Sequence, residues 1–426
     1  MGTPDPAPAD PAASDEASRL TRRLGMTDAV VIGLGSMIGA GVFAAIAPAA
    51  RAAGTGLLVG LAVAALVAYC NATSSAQLAA LYPESGGTYV YGRKRLGLFW
   101  GFLAGWGFVV GKLASCAAMA LTFAHYAAPS LARPLAVAAV LALTVVNTLG
   151  IRKSALLTRT IVAVVLVALA IVVGAVLFGG RVEASRLWPL QVGSAHGVLQ
   201  AAGFLFFAFA GYARIATLGE EVVEPRTTIP RAIPIALGIT LAVYVAVAVS
   251  VLLVLDAEAV AVSSAPLADA VEAGSLSSLA IVVRIGATVA SLGVLLSLLL
   301  GVSRTAFSMA SNGDLPRVFE AVHPRFRVPH RAEVAVGLVV AATVLLADVR
   351  SAIGFSSFAV LNYYAIANAA ALTLRGDERR WPRGLAILGL LGCAALAFSL
   401  PLLSVAVGSG VLVVGAAVFL LRGGEA

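Results

Sequence analysis

The sequence predicts an all-α integral membrane protein with twelve transmembrane helices, and three observations lead to this fold class. First, 60% of the 426 residues are hydrophobic and 12% are charged, whereas average soluble domains are about 25% charged and less than half apolar. Second, apolar runs of roughly 20 residues, the length of a helix that crosses a bilayer, recur along the chain. Third, Lys and Arg gather in the short loops between these runs. A soluble enzyme is excluded, because a globule of this length has nowhere to bury so much apolar surface.

The predicted spans follow from the positions of the apolar runs. The shortest of them, 333–349 and 384–400, satisfy the length requirement least well. The twelve segments cover residues 28–51, 55–80, 98–127, 134–150, 156–179, 196–218, 231–255, 277–302, 333–349, 352–374, 384–400 and 403–421.

Orientation follows from the basic residues. Of the 29 Lys and Arg residues, 21 fall in or next to loops on the side of the N-terminus and 5 on the opposite side. Positively charged loops stay in the cytoplasm, so both termini are predicted to be cytoplasmic. Arg greatly outnumbers Lys and Ala is abundant, which is typical of GC-rich bacterial genes. The predicted location is therefore a bacterial plasma membrane.

Residues 1–25 are rich in Pro, Ala and Asp and lack the early apolar stretch of a signal peptide. They are predicted to form a disordered cytoplasmic tail. The three cysteines, Cys70, Cys116 and Cys393, each lie inside an apolar run. This placement indicates small packing residues rather than an extracellular disulfide framework.

Glycine residues interrupt the first and sixth spans. Span 1 contains four within GLGSMIGAG at 33–41, and span 6 contains Gly203, Gly211 and Gly219. Each costs about 1 kcal/mol relative to Ala in a helix interior, so the clusters predict unwound stretches. Close helix packing is the alternative.

Span 6 is the fifth span after span 1. Successive spans cross the membrane in alternate directions, so an offset of five, an odd number, gives the second five-span unit the opposite orientation to the first. The predicted organisation is an inverted repeat of spans 1–5 and 6–10 with two further helices. These units cover residues 26–180, 195–375 and 383–422.

Four motifs carry a resemblance to a known family of membrane proteins. They are GSMIGAGVF at 35–43 in span 1, YPESGGTYVYGRKRLG at 82–97 after span 2, FFAFAGYARIATLGEEVVEPRTTIPRAI at 206–233 in and after span 6, and SRTAFSMASNGDLPRVFEAVHP at 303–324 after span 8. In type and order they resemble those of amino acid permeases of the amino acid–polyamine–organocation (APC) superfamily, over about residues 25–421. The resemblance implies a LeuT-like five-plus-five fold with discontinuous helices 1 and 6, and alternating-access transport of amino acids or related amines.

An amino acid zwitterion carries a carboxylate and an ammonium, and each needs fixed partners in a low-dielectric space. Carbonyls near Gly35 and Ser36, at the end of the first half of span 1, suit the ammonium. A helix N-terminus offers free N–H groups and a positive dipole end, so amides at the start of the second half suit the carboxylate. These amides belong to Ile38, Gly39, Ala40 and Gly41.

The resemblance also implies a contribution from span 6. Carbonyls there are expected to complete the ammonium site, namely those of Phe206, Phe207, Ala208 and Phe209. Phe209 and Tyr212 are candidates to close over the substrate side chain, with aromatic packing against lipid or a neighbouring helix as the alternative.

Lys112 lies halfway along span 3, where insertion of a charge costs about 2.5–3.5 kcal/mol. Small and weakly polar residues recur at helical spacing from it, so Lys112 is predicted to face the bundle interior. Burial disfavours the charged form, which makes Lys112 a candidate for proton coupling. A structural Lys bonded to helix-end carbonyls is the alternative. Some proton-coupled relatives carry a functional Lys on span 5, but the matching position here falls at about Val165.

No Asp or Glu lies well inside a span, which favours neutral amino acids over polyamines, Lys or Arg. The predicted function is a secondary transporter, a proton-coupled symporter for neutral amino acids, and not an enzyme. No cofactor is expected, sodium is not indicated, and the expected partners are a small-molecule amino acid and the lipid bilayer rather than nucleic acid. An exchanger without ion coupling stays open, as does a channel or a non-transporting membrane receptor. The sequence determines neither the transported amino acid, nor the direction of transport, nor the oligomeric state.

Overall fold

The computed structural model describes residues 24–39, 41–84, 86–150, 155–179, 182–187, 190, 192–218 and 221–422. Within these ranges the chain is helical, and the one β-type pairing is an isolated bridge between Leu24 and Val222. Most of the predicted tail, residues 1–23, lies outside the described residues. Leu24 itself is held by backbone hydrogen bonds, since its N–H donates to Glu221 O at 3.0 Å and its carbonyl accepts from Val223 N at 2.9 Å.

The helices are numbered α1 to α17 in chain order. They are Met26–Met37 (α1), Gly41–Ala53 (α2), Leu57–Leu81 (α3), Thr88–Leu96 (α4), Leu98–Ala127 (α5), Ala132–Thr148 (α6), Ala155–Gly179 (α7), Ala195–Phe209 (α8), Ala213–Ala216 (α9), Pro225–Val254 (α10), Ala257–Val262 (α11), Pro266–Glu272 (α12), Ala280–Ser311 (α13), His330–Leu346 (α14), Val349–Leu372 (α15), Arg383–Ser399 (α16) and Leu402–Arg422 (α17).

Eight helical stretches of the described chain are long and apolar enough to cross a membrane. Span 1 does not form such a stretch by itself because it is broken, and α14 and α16 have only 17 residues each. An all-helical membrane protein is therefore confirmed. The number of twelve crossings and the inverted repeat stay predictions.

Span 1 breaks within its glycine run. Helix α1 ends at Met37 and α2 begins at Gly41, with Ile38 and Gly39 in a turn between them. Ala40 lies outside the described residues. Gly33 and Gly35 remain helical and lie close to neighbouring side chains: an added Cβ would overlap Ile215 at Gly33 and would lie 2.8 Å from Val162 Cγ2 at Gly35.

Span 6 differs from its predicted unwinding. Helix α8 ends at Phe209, a 3₁₀ turn covers Ala210–Tyr212, and the four-residue α9 follows without an intervening coil. The backbone stays hydrogen-bonded here instead of opening, since the carbonyl of Phe206 accepts the N–H of Ala210.

The broken segments lie inside the bundle. Helix α2 packs on α8, while α1 contacts the 3₁₀ turn of span 6 and α10. Helix α5 packs between α13 and α15. These contacts bring spans 1, 3, 6, 7, 8 and 10 around one interior region, in which the candidate site lies.

Candidate substrate-binding site

The break in span 1 lies directly against the backbone of span 6. A Cβ on Gly41 would lie 2.6 Å from Ala208 Cα, and a Cβ on Gly211 would overlap the carbonyl group of Ser36. Both contacts require glycine because the neighbouring atoms belong to backbone and cannot rotate away. The two spans thus meet at the residues that the glycine pattern singled out.

The two ends of the break offer backbone groups of opposite polarity. The last carbonyls of an α-helix and its first N–H groups have no partner within that helix. At the end of α1 these are the carbonyls from Gly35 to Ile38, and at the start of α2 they include the N–H of Gly41. The two ends of the break are therefore suited to an ammonium and to a carboxylate, which are the two charged groups of an amino acid.

Tyr244 of α10 joins the two broken spans. Its hydroxyl lies 2.5 Å from Met37 O and 3.1 Å from Ala208 O, and it donates to these carbonyls. The one hydroxyl proton cannot satisfy both acceptors fully at once, so a shift between them can accompany a movement of α1 relative to α8. Tyr244 is not among the residues predicted from the sequence. The signal that could have found it is a tyrosine deep in an apolar span, whose hydroxyl needs a partner.

Aromatic rings enclose the region next to the break. The Phe209 ring lies 5.1 Å from that of Tyr244, and the rings of Phe206 and Tyr212 lie 5.8 Å and 5.0 Å from that of Tyr364. The Tyr364 hydroxyl donates to Ala210 O at 3.1 Å. Tyr364 was also missed, because α15 is distant from both broken spans in sequence.

One aliphatic side chain completes the surroundings of the turn. An added Cβ on Gly39 would overlap Val294 of α13 and would lie 2.8 Å from Gly35 O. The turn at Gly39 is therefore covered by an apolar side chain on one side.

Of the predicted residues, the structure brings Gly41 against Ala208 and Ser36 against Gly211. Phe209 and Tyr212 are fully buried among helices, so the alternative of packing against lipid does not apply to them. Phe207 is half-buried. The carbonyls of Phe206 and Ala208 are already engaged, by Ala210 N and by the Tyr244 hydroxyl respectively. An ammonium site there would use the second lone pair of each oxygen.

Lys112 lies in the middle of α5 and is half-buried. Its Nζ is 6.0 Å from the centre of the Phe108 ring, and no carboxylate among the described residues pairs with it. Gly105, two turns away on the same strip of α5, meets Met309 of α13, whereas Ser115 hydrogen-bonds Ser356 of α15 at 2.7 Å. Along α5, Lys112 therefore lies between the positions that contact α13 and α15, and its orientation toward the bundle interior is an expectation from the sequence. Its role in proton coupling stays a prediction.

The nearest carboxylate along span 1 is used elsewhere. Asp28, in the first turn of α1, forms an ion pair with Arg159 of α7 and accepts the N–H of Gly25 at 3.2 Å. The pair joins α1 and α7 near their N-terminal ends, which the predicted orientation places on the cytoplasmic side.

Comparison with known proteins identifies the family of this chain. A family model described as amino acid permease matches residues 24–421, nearly the whole chain. The chain belongs to the amino acid permease family. This membership confirms the resemblance carried by the four motifs and makes the protein a membrane-embedded transporter.

Individual relatives differ in their named substrates. An uncharacterized transporter of Mycobacterium tuberculosis is 64% identical over 418 residues, 97% of this chain and 94% of the relative. The branched-chain amino acid permease BcaP of Bacillus subtilis is 26% identical over 398 residues, 87% of this chain and 85% of the relative. Human cationic amino acid transporter 4 is 28% identical over 392 residues, 85% of this chain and 61% of the relative.

Proposed function

We propose that this protein is a secondary active transporter that takes up neutral amino acids by alternating access and couples their uptake to protons. The observation that carries the proposal is the break between Met37 and Gly41, which lies on the backbone of Ala208 and Gly211. Two helix ends of opposite polarity meet there inside an apolar region. Charged groups of a zwitterion need such fixed partners, because an unpaired polar group in a low-dielectric interior costs several kcal/mol.

The surroundings of the break favour a neutral side chain on the substrate. The residues that enclose it, Val294, Phe209, Tyr244 and Tyr364, are aliphatic or aromatic. Asp28 is paired with Arg159 at the end of α1 and is not available to a second ammonium. The name of the branched-chain relative supports this substrate class, whereas the name of the cationic relative supports the alternative of basic amino acids.

Lys112 supports the coupling part of the proposal. An ammonium without a carboxylate partner in the membrane interior is costly, so release of its proton is easier there than in water. Lys112 lies on the helix that contacts both α13 and α15, which carry Val294 and Tyr364 at the break. A change in its charge can therefore bias the packing around the site.

The experiment is uptake by purified protein in proteoliposomes, with protein-free liposomes as the control. Radiolabelled leucine, valine, lysine and putrescine are offered with and without an inward proton gradient. We expect saturable uptake of the neutral amino acids and accumulation only with the gradient. Exchange of neutral amino acids that ignores the gradient would favour the uncoupled exchanger, and lack of uptake and exchange for all four compounds would contradict the proposal.

A further inference from the structure

A file of buried polar side chains lies in the cytoplasmic half of the bundle, beside the candidate site. It is formed by α3, α15 and α16, and all of its side chains are nearly inaccessible to solvent. Its members are Asn71, Ser74, Ser75, Gln77, Tyr364, Asn368 and Cys393. Apart from Tyr364, whose ring borders the break in span 1, none of them belongs to the proposed substrate site.

Two asparagines and a cysteine form the middle of the file. Asn368 Nδ2 donates to Asn71 Oδ1 at 2.6 Å, and the Cys393 thiol donates to the same oxygen at 3.3 Å. Within the described part of the chain, Asn71 Nδ2 and Asn368 Oδ1 have no hydrogen-bond partner. A donor and an acceptor are thus left over within one cluster, and each costs about 1–3 kcal/mol if it stays unsatisfied.

Two serines extend the same face of α3. Ser74 and Ser75 follow Asn71 by three and four residues, so they lie one turn away on its side of the helix. Their hydroxyls are buried and find no partner among the residues described. The neighbouring Thr73 differs, since its hydroxyl donates to Cys70 O at 2.8 Å.

The file has a polar contact at each end. Toward the membrane centre, Tyr364 lies one turn from Asn368 on α15 and donates to Ala210 O in the 3₁₀ turn of span 6. Toward the cytoplasm, the Gln77 side-chain carbonyl accepts the N–H of Arg380, in the loop before α16, at 3.3 Å. The leftover groups therefore lie between the turn of span 6 and the cytoplasmic surface.

We propose that internal water binds along this file and hydrogen-bonds Asn71, Asn368, Ser74 and Ser75. Buried waters typically make about three hydrogen bonds to polar groups that otherwise lack partners, and this cluster supplies both donors and acceptors. A metal cation is disfavoured because the file contains no carboxylate and includes the amide N–H groups of Asn71. The bound water forms a hydrated path from the cytoplasm to the 3₁₀ turn, separate from the substrate carboxylate site.

The first test is hydroxyl-radical labelling of the full chain in lipid nanodiscs, read by mass spectrometry. Radicals form in water, so a buried thiol next to bound water reacts faster than an equally buried thiol in a dry environment. Cys393 lies in the file, and Cys116 of α5 is as deeply buried and serves as the in-chain reference. We expect Cys393 to be labelled several-fold faster than Cys116, and equal rates would overturn the proposal.

The second test uses the double variant Ser74→Ala/Ser75→Ala, with Thr73→Val as the matched control. If the serine hydroxyls hold water, their removal slows labelling of Cys393 and lowers the melting temperature. If they are dry, removal of two unsatisfied groups raises the melting temperature, which would overturn the proposal. Thr73→Val removes a hydroxyl that is already satisfied within α3, so labelling of Cys393 should not change.

The same measurements are repeated with sodium replaced by choline at constant ionic strength. Bound water predicts no change in the labelling rate of Cys393. A labelling rate or melting temperature that depends on sodium would assign the file to a cation and contradict the proposal. None of these readouts requires transport, so they remain informative even if the proposed substrate class is wrong.

Discussion

The substitution Gly41→Ala tests whether the start of α2 must lie directly on α8. The added Cβ would lie 2.6 Å from Ala208 Cα and 2.7 Å from Ala208 Cβ, and neither atom can rotate aside. Helix α2 must therefore shift, and overpacking of this kind costs about 1–3 kcal/mol. The amides at the break move with α2, so we expect Gly41→Ala to weaken substrate binding by roughly 5- to 150-fold.

The assay is equilibrium binding of a radiolabelled neutral amino acid to purified protein, with the melting temperature measured in parallel. Gly238→Ala in α10 is the matched control, because no described atom lies within 4 Å of its added Cβ. We expect that variant to bind normally and to melt at the same or a slightly higher temperature, since Ala stabilises a helix by roughly 0.5–1 kcal/mol relative to Gly. Wild-type affinity in Gly41→Ala would show that the backbone at the start of α2 does not hold the substrate.

Three further predictions concern substrate class, coupling and the ion pair between Arg95 and Glu378. Leucine and valine should compete for uptake and putrescine should not, because the described residues around the break offer no carboxylate to a second ammonium. Strong saturable putrescine uptake would contradict this prediction. Lys112→Ala should retain exchange but lose accumulation driven by a pH gradient. Lys112→Arg should behave as permanently protonated, because Arg does not release its proton. Gradient-driven accumulation by Lys112→Ala would show that the role of the lysine is structural. Arg95 donates to Glu378 at 2.6 Å, and this hydrogen bond lowers the pKa of Glu378 below its usual range. A lowered carboxyl pKa stabilises the fold above the unfolded-state value and the contribution is lost as the pH falls through the folded-state value. Glu378→Gln should therefore lower the melting temperature slightly at neutral pH, with the difference fading below about pH 4; a difference that persists in acid would mean that the effect is not electrostatic.

The break in span 1 could be predicted from the sequence, but its limits could not. Four glycines stand at 33–41, and only the last two lie at the break, Gly39 in the turn and Gly41 at the start of α2. Gly33 and Gly35 lie within α1, in close contact with Ile215 and Val162. The sequence does not distinguish a glycine that allows close packing from a glycine that allows a turn, because the absence of a Cβ permits both. The same ambiguity explains span 6, where Gly211 leaves room for the Ser36 carbonyl while the backbone forms a 3₁₀ turn.

The partners of the broken spans could not be predicted, because they come from helices distant in sequence. Tyr244, Val294 and Tyr364 belong to α10, α13 and α15, and their roles depend on how those helices pack around the break. Composition and periodicity fix which segments are apolar, but they do not specify which apolar face meets which. Lys112 was detectable because a charge in the membrane interior stands out without knowledge of its neighbours.

Competition by analogues that lack one charged group tests most directly whether the break in span 1 binds an amino acid through its backbone. Uptake of radiolabelled leucine into proteoliposomes is measured in the presence of leucine, its decarboxylated amine or its deaminated acid. In the proposed site α2 offers N–H groups to the carboxylate and α1 offers carbonyls to the ammonium, so we predict that leucine competes and that both analogues fail. Competition by the amine or by the acid at the concentrations at which leucine competes would show that the corresponding half of the break does not bind the substrate.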